Sequence, residues 1–287
     1  MNADIGAVAS APLISGDSNP GKISFTPGGV GRNIAHNLCL LGLNVKFIAA
    51  IGTDVYGESI LKSCVEQGMD MSLARRVEGG RTSSYLYICD DKGDMAVGVS
   101  DTDIAASITP EYLAEHIDEI NAADAVVIDG NLSAETVVWI GENVSAPLYA
   151  DPVSAAKSER LRPALSKLSA FKPNDVEAER LTGERDSRKA AEALINAGVK
   201  RVFVSMGEKG MIAAEKGRLI ELPCEKAELV NANGAGDAAA AAIIWAGVRG
   251  LGLEESAKAA QIAAALTVSC EKTVNPALCV QEIVATD

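Results

Sequence analysis

Gly234-Ala235-Gly236-Asp237 stands at the head of the alanine-rich run Val230 to Gly247, where a helix is expected to begin. The first amides of a helix lack intrahelical partners and carry the positive end of its dipole, and glycine lets an anion approach the backbone closely. The motif is suited to cradle a phosphate. A carboxylate beside that phosphate is electrostatically unfavourable unless it has a task, and the natural task is to accept the proton of an attacking hydroxyl. Asp237 is thus a candidate general base, with Gly234, Ala235 and Gly236 forming an anion hole. A plain capping acid in a glycine-rich turn is the simpler alternative on this motif alone. Gly234-x-Gly236-x-x-Ala239 also matches a dinucleotide fingerprint formally. It lies late in the chain, however, and "LGLEESAKAAQIAAALTVSC" follows as a helix-like segment, not as a strand with a ribose-binding acid.

A second glycine-rich turn, "FTPGGVGRNIAHNL", places Gly28, Gly29 and Gly31 before Asn33 and another helix. Glycine permits close backbone approach there, and the Asn33 amide suits the hydroxyls of a polyol. By itself the segment is equally a simple loop into a helix.

Positioning such turns requires strands that end in loops and helices that start there. After "NIAHNLCLLG" comes the apolar "VKFIAAIG", then the helix-like "GESILKSCVEQG". Further on, "AVVID" (125–129), "PLYADP" (147–152) and "RVFVSMG" (201–207) are short apolar strands separated by helix-like segments such as 110–120 and 133–142. This βαβ rhythm predicts a parallel sheet covered on both faces by helices. Residues 82–101, "TSSYLYICDDKGDMAVGVSD", break the rhythm with two strand-like runs joined by Asp90-Asp91-Lys92-Gly93, the pattern of a β-hairpin. With residues near 5–25 the hairpin is expected to project as a small β lid, which on closing excludes water from a reacting phosphate.

The 287 residues suffice for one α/β domain, expected to span 1–287. With 48% hydrophobic and 23% charged residues, there is no apolar run near the roughly 18 residues of a membrane span and no cleavable signal pattern. A soluble, cytoplasmic protein without a membrane partner is expected. A net charge of -13 argues against a nucleic-acid partner and favours a small substrate. Six dispersed cysteines suggest buried reduced thiols rather than a zinc site or disulfides. The only two histidines, His36 and His116, lie in helix-like segments away from any nucleophile, which argues against a Ser-His or Cys-His hydrolase.

The two glycine motifs together, in this order and separation, resemble the ribokinase-like (PfkB) family of sugar and nucleoside kinases, marked by GG-x-G-x-N near the N-terminus and GAGD near the C-terminus. "KPNDVEAERLTG" (172–183) is similar to the family's N-x-x-E segment, and "SMGEKG" (205–210) to its nucleotide-binding strand end. Within the family, "SNPGKISFTPGGVGRNIAHNLCLLG", "TSSYL", "DPVSAAK" and "SCEKTVNP" look most like pseudouridine kinases.

The resemblance implies a three-layer α/β/α fold with a mostly parallel central sheet and a small β lid, together with ATP and Mg²⁺ as cofactors. The acceptor it implies is the 5′-hydroxyl of pseudouridine, the runners-up being ribokinase or purine nucleoside kinase activity. A sensor that binds a nucleoside without turnover is the rival from another class. By motif, Asp237 resembles the catalytic base, and Asn2 and Asp4 of "MNADIG" the pair that holds sugar hydroxyls, joined by Gly28, Gly29 and Asn33. Thr82 and Ser84 of the lid offer polar groups to the base of a substrate, plain surface solvation being the equal alternative. Asn174 and Glu177 resemble the segment that organises Mg²⁺, with Glu177 acting largely through water; an N-cap role for Asn174 is compatible with this. Ser205, Gly207, Gly210 and Asn233 are expected along the nucleotide. Arg32 is open to two roles, a phosphate contact or a structural ion pair.

Two departures stand out. The apolar strand that precedes N-x-D in the family is missing before Met1, which predicts an exposed neighbouring edge in a sheet with one strand fewer, or a longer gene product. Asn231-Ala232-Asn233 replaces the Asp-Thr-Thr of many relatives, which argues against a monovalent cation there. A homodimer paired through the β lid is expected.

Overall fold

The computed structural model describes residues 1–284. The chain begins with β1 (Asn2–Ala9), β2 (Gly21–Gly28), α1 (Val30–Leu40), β3 (Val45–Lys46), β4 (Ala50–Gly52), α2 (Val55–Glu66), β5 (Met69–Asp70) and β6 (Arg75–Val77). There follow β7 (Ser84–Cys89), β8 (Met95–Asp101), α3 (Pro110–Ala114), α4 (Ile117–Asn121), β9 (Val126–Asp129), α5 (Ala134–Asn143), β10 (Leu148–Asp151) and α6 (Ala155–Ser158). The last part holds β11 (Leu168–Phe171), α7 (Asp175–Thr182), α8 (Ser187–Asn196), β12 (Arg201–Ser205), β13 (Met211–Glu215), β14 (Arg218–Leu222), α9 (Ala235–Val248), α10 (Leu253–Val268) and α11 (Val280–Ile283).

A six-stranded sheet in the order β14-β13-β12-β11-β10-β9 forms the centre. Its strands β9 to β12 are parallel, and β13 and β14 add an antiparallel edge. Alternate side chains point to opposite faces, as strand geometry demands. Tyr149, Phe203, Met211 and Ala213 pack with α1, α9 and α10 on one face. Leu148, Ala150, Val202, Val204, Ile212 and Ala214 pack with α5, α7 and α8 on the other. Both faces are therefore buried and three layers result. The alanines of α9 explain its place: Ala238 through Ala246 are all buried, so the helix is apolar all round and its small side chains let α10 lie close.

The second sheet, in the order β2-β1-β7-β8, is the projecting one. Its strands run from residue 2 to 28 and from 84 to 101, wider at its N-terminal part than the expected 5–25. Tyr85 faces Ser100 across the hairpin, whose turn is held by the Asp90 carboxylate accepting from the amides of Lys92 and Asp94.

Two expected elements are interrupted. The apolar run "VKFIAAIG" is split into β3, paired with β5, and β4, paired with β6. A cavity of about 630 Å³ lies between Val45–Ala50 and β9, floored by Ile34, Leu38 and Ile244. Among the described residues no strand pairs with the run on its inner side, and the outer edge of β9 faces the cavity. The expected helix over 110–120 breaks at Glu115 and His116, where His116 turns edge-on to Tyr112 at 5.0 Å.

Of the cysteines, Cys64 and Cys89 are buried, whereas Cys224 is exposed and Cys39, Cys270 and Cys279 are half-buried, so burial covers only part of the expected set. His36 is held uncharged, its pKa lowered to about 4 by burial and by the nearby Arg32. Among the described residues no helix is long and apolar enough to cross a membrane.

Candidate active site

Four strand ends and the starts of α1, α7 and α9 meet at the carboxyl edge of the parallel sheet, the edge where ligands bind in open α/β folds. Gly234 caps α9 in the left-handed region, φ 85°, where a side chain is strained. A Cβ there would also lie 1.9 Å from the carbonyl oxygen of Thr273. Only glycine allows this close contact, which sets the free amides of Ala235 and Gly236 at the site. The preceding loop is tied to the same segment: Asn231 donates through Nδ2 to the Glu271 carbonyl at 2.9 Å and accepts from the Asn233 amide at 3.0 Å. Asn233 itself is exposed.

Asp237 lies in the first turn of α9, half-buried, and its Oδ2 accepts from Asn33 Nδ2 at 2.8 Å. This bond spans 204 residues of sequence and joins the two glycine motifs directly. Burial raises the Asp237 pKa to about 7, with the charge of Asp151 adding to the shift and the Asn33 bond and Lys172 opposing it. A carboxylate so poised takes up a proton easily near neutrality.

Asn33 is oriented in turn by Arg32, whose Nη1 donates to Asn33 Oδ1 at 3.2 Å while Nη2 donates to Gln67 Oε1 at 2.7 Å. The buried guanidinium thus meets two side-chain amides rather than the structural acid that is one of its two expected partners.

Asn2 and Asp4 lie directly on the first glycine turn. A Cβ on Gly28 would overlap the Asp4 carboxylate at 1.9 Å, and one on Gly29 would come within 2.6 Å of Asn2 Oδ1. Gly29, φ 101°, also caps α1. Asn2 donates to Asp4 through its side chain. Burial raises the Asp4 pKa to about 6, against the lowering effect of the chain terminus and Arg32. The Gly29 carbonyl accepts from the Asn33 amide at 2.9 Å, so the same turn lies between this pair and the Asn33–Asp237 bond.

The lid residues are placed differently. Thr82 is buried, and its hydroxyl donates to Asp54 Oδ1 at 2.7 Å while accepting from the Gly52 amide at 3.1 Å. Asp54 caps α2 in the same cluster, so Thr82 ties the lid to the core and its hydroxyl is already engaged; this departs from the expected substrate contact. Ser84 donates to the Thr82 carbonyl at 3.0 Å and is half-buried.

Asn174 and Glu177 form a capping box on α7: Asn174 Oδ1 accepts from the Glu177 amide and Glu177 Oε2 from the Asn174 amide, both at 2.8 Å. Burial raises the Glu177 pKa, while the Asn174 amide and Lys172 lower it. Asn174 bridges to Ser205, the last residue of β12, and the Ser205 amide donates to the Pro173 carbonyl at 3.0 Å. Gly207 and Gly210 then turn the chain with φ 57° and 94°. Gly210 is packed against the Leu222 carbonyl, whereas Gly207 faces open space. Among the described residues no three His, Cys, Asp or Glu side chains make a ready metal cage. The donor set, one buried carboxylate with one oxygen already in a cap, fits a hard cation that keeps its own waters.

Three charged groups in this centre have no role in the sequence reading: Asp129 and Asp151, the last residues of β9 and β10, and Lys172 after β11. Lys172 and Asp151 pair at 3.5 Å, each only 6% exposed. Their signal in the sequence is an acid or a lysine ending an apolar strand at the ligand edge.

Residues 5–278 match the model of the pfkB family carbohydrate kinase. The pseudouridine kinase of Escherichia coli (strain K12) is 39% identical over 294 residues, covering 99% of this chain and 93% of the relative. The guanosine-inosine kinase of Exiguobacterium acetylicum is 27% identical over 284 residues, covering 95% and 94% of the two chains. Among solved structures, the ribokinase of Thermotoga maritima has a TM-score of 0.88 over 98% of this chain and 95% of that one at 23% identity, a likeness of fold.

Proposed function

The chain belongs to the pfkB family of carbohydrate kinases, phosphotransferases with an alcohol acceptor, and from this premise we propose that it transfers the γ-phosphoryl group of ATP to the 5′-hydroxyl of pseudouridine, giving pseudouridine 5′-phosphate and ADP. The observation that carries the substrate is the near full-length identity to a pseudouridine kinase, well above that to the purine nucleoside kinase. The geometry supports the chemistry. Asp4, Asn2 and Asn33 offer acceptors and donors for ribose hydroxyls beside the glycine turn, and Asp237 stands next to Asn33 to take the 5′ proton. The oxygen then attacks phosphorus while the amides of Ala235 and Gly236 receive the charge that grows on the phosphoryl oxygens. Asn174, Ser205, Gly207, Gly210 and Asn233 border the nucleotide side. Glu177, capped by Asn174, would hold Mg²⁺ through the ion's own waters, and the ion would supply charge neutralisation at the phosphates.

ATP-dependent phosphorylation measured on pseudouridine, uridine, ribose, adenosine, inosine and fructose, with a magnesium-free control, tests this reading. Pseudouridine is expected to have a kcat/KM at least about tenfold above the others, the difference that 1.4 kcal/mol of selective binding makes. A better turnover of ribose or a purine nucleoside replaces the substrate. Binding without turnover by the folded protein favours a sensor.

The same reading includes a homodimer. One face of the lid sheet exposes Ile23, Leu86, Val97 and Val99, and its outer strands β2 and β8 have free edges. Light scattering after gel filtration should give twice the monomer mass, and Ile23→Lys with Val99→Lys should return it to the monomer. A monomeric wild type at micromolar concentration removes this part of the proposal.

A further inference from the structure

The paired charges of Lys172 and Asp151 lie at the centre of the transfer site. Asp151 is held at both oxygens: Oδ1 accepts from the Val153 amide at 2.8 Å and Oδ2 faces Lys172 Nζ at 3.5 Å. Val153 adopts φ 68°, a left-handed conformation rare for a β-branched residue and found at no other non-glycine position among the described residues. That turn fixes the carboxylate, and the carboxylate fixes the lysine. On its far side the ammonium looks toward α9, where a Cβ built on Gly236 would lie 3.5 Å from Nζ. A glycine at 236 leaves this gap between the lysine and the free amides.

We propose that Lys172 is a positioning residue for the transfer, a fixed cation that Asp151 holds beside the amides of Ala235 and Gly236 to balance the charges of Asp237 and of the arriving phosphoryl group. A buried ion pair is a weak contributor to stability, since desolvation offsets most of its attraction, so its presence at this point of the fold is better explained by the field it creates. The groups facing Asp237 are Asn33 from α1, Asp129 and Asp151 from the ends of β9 and β10, and Lys172 from the end of β11. Lys172 and the Asn33 bond favour the ionised form of Asp237, whereas the two acids oppose it. The two partners of one ion pair therefore act on Asp237 in opposite directions.

This opposition gives the test, which rests on the kinase reading only in its second arm. In the first arm, ¹³C carboxyl shifts of Asp237 are followed through pH in the folded protein without substrate. Lys172→Met is expected to move its midpoint up by about one pH unit and Asp151→Asn to move it down, with Lys172→Arg close to wild type. Midpoints that move the same way in both variants, or not at all, overturn the proposal, whatever fall in melting temperature the broken pair brings. In the second arm, Lys172→Met lowers kcat on the best substrate about 10²-fold with nucleoside KM within a few-fold. If Lys172→Met fails to fold, Lys172→Met combined with Asp151→Leu removes both charges. It should regain stability while turnover stays low; recovery of turnover with stability would sink the idea. A wild type that phosphorylates none of the substrates defeats the kinase reading alone, and the first arm still decides the electrostatic role.

Discussion

Asp237→Asn is expected to lower kcat by about 10²- to 10⁴-fold, the range a positioned general base supplies, while nucleoside affinity stays within a few-fold. The amide is nearly isosteric and its oxygen can still accept from Asn33 Nδ2, so the wall of the site is preserved. On the proposed reading, what is lost is the group that takes the proton of the acceptor hydroxyl. In the wild type the base form prevails only above about pH 7, so kcat/KM should fall on the acid side of neutrality with a midpoint near that value. Stability should respond with the opposite sign. The folded pKa lies above the ordinary carboxylate value, so the fold gains from protonated Asp237 below the unfolded pKa near 4 and loses that gain as pH rises through about 7. Asp237→Asn removes the cost of the buried charge. Its melting temperature should exceed that of wild type at pH 8, by about 2 to 4 °C for each kcal/mol recovered, and match it near pH 4. A variant that loses turnover and stability together at pH 8 would instead mark Asp237 as a structural cap.

The parts of this centre differ in how visible they are in sequence, and the difference has a physical cause. The glycine turns and the acid of 234–237 are local: backbone conformation and helix polarity are dictated by neighbours a few residues away. The parallel sheet is legible for the same reason, since "AVVID" and "RVFVSMG" carry their own apolar pattern; the first ends with β9 at Asp129, and the second runs two residues past the end of β12 at Ser205. Lys172 and Asp151 depend on tertiary contact. Asp151 ends β10 and Lys172 follows β11, both ordinary strands, and only the sheet order β11-β10 and the start of α9 bring them to one point. Thr82 shows the converse. A polar residue before a lid strand looks available for a substrate, but its hydroxyl meets Asp54 across 28 residues, a pairing that no local pattern announces. The split of "VKFIAAIG" into β3 and β4 belongs to the same class, because the two halves pair with different strands, β5 and β6, and no breaker residue within the run announces it.

Gly234→Ala should be the most damaging single-methyl change in the site. Two separate effects act on it. A left-handed residue with a side chain costs about 1–2 kcal/mol, and the new Cβ would overlap the Thr273 carbonyl at 1.9 Å, a backbone atom that cannot rotate away. Relief requires the start of α9 to move, and the amides of Ala235 and Gly236 move with it. Oriented donors lose about 10²-fold in rate for a displacement near 1 Å. A fall in kcat of at least that size is expected, with a melting temperature several degrees lower. Gly250→Ala separates the two causes: Gly250 is also left-handed, φ 73°, but has open space around it and lies beyond the far end of α9. Its substitution carries the backbone strain alone and should lower the melting temperature slightly while kcat stays at the wild-type value. If Gly234→Ala behaved like Gly250→Ala, the contact with Thr273 would not be what sets the anion hole, and the 271–273 loop would lose its part in aiming the amides of Ala235 and Gly236.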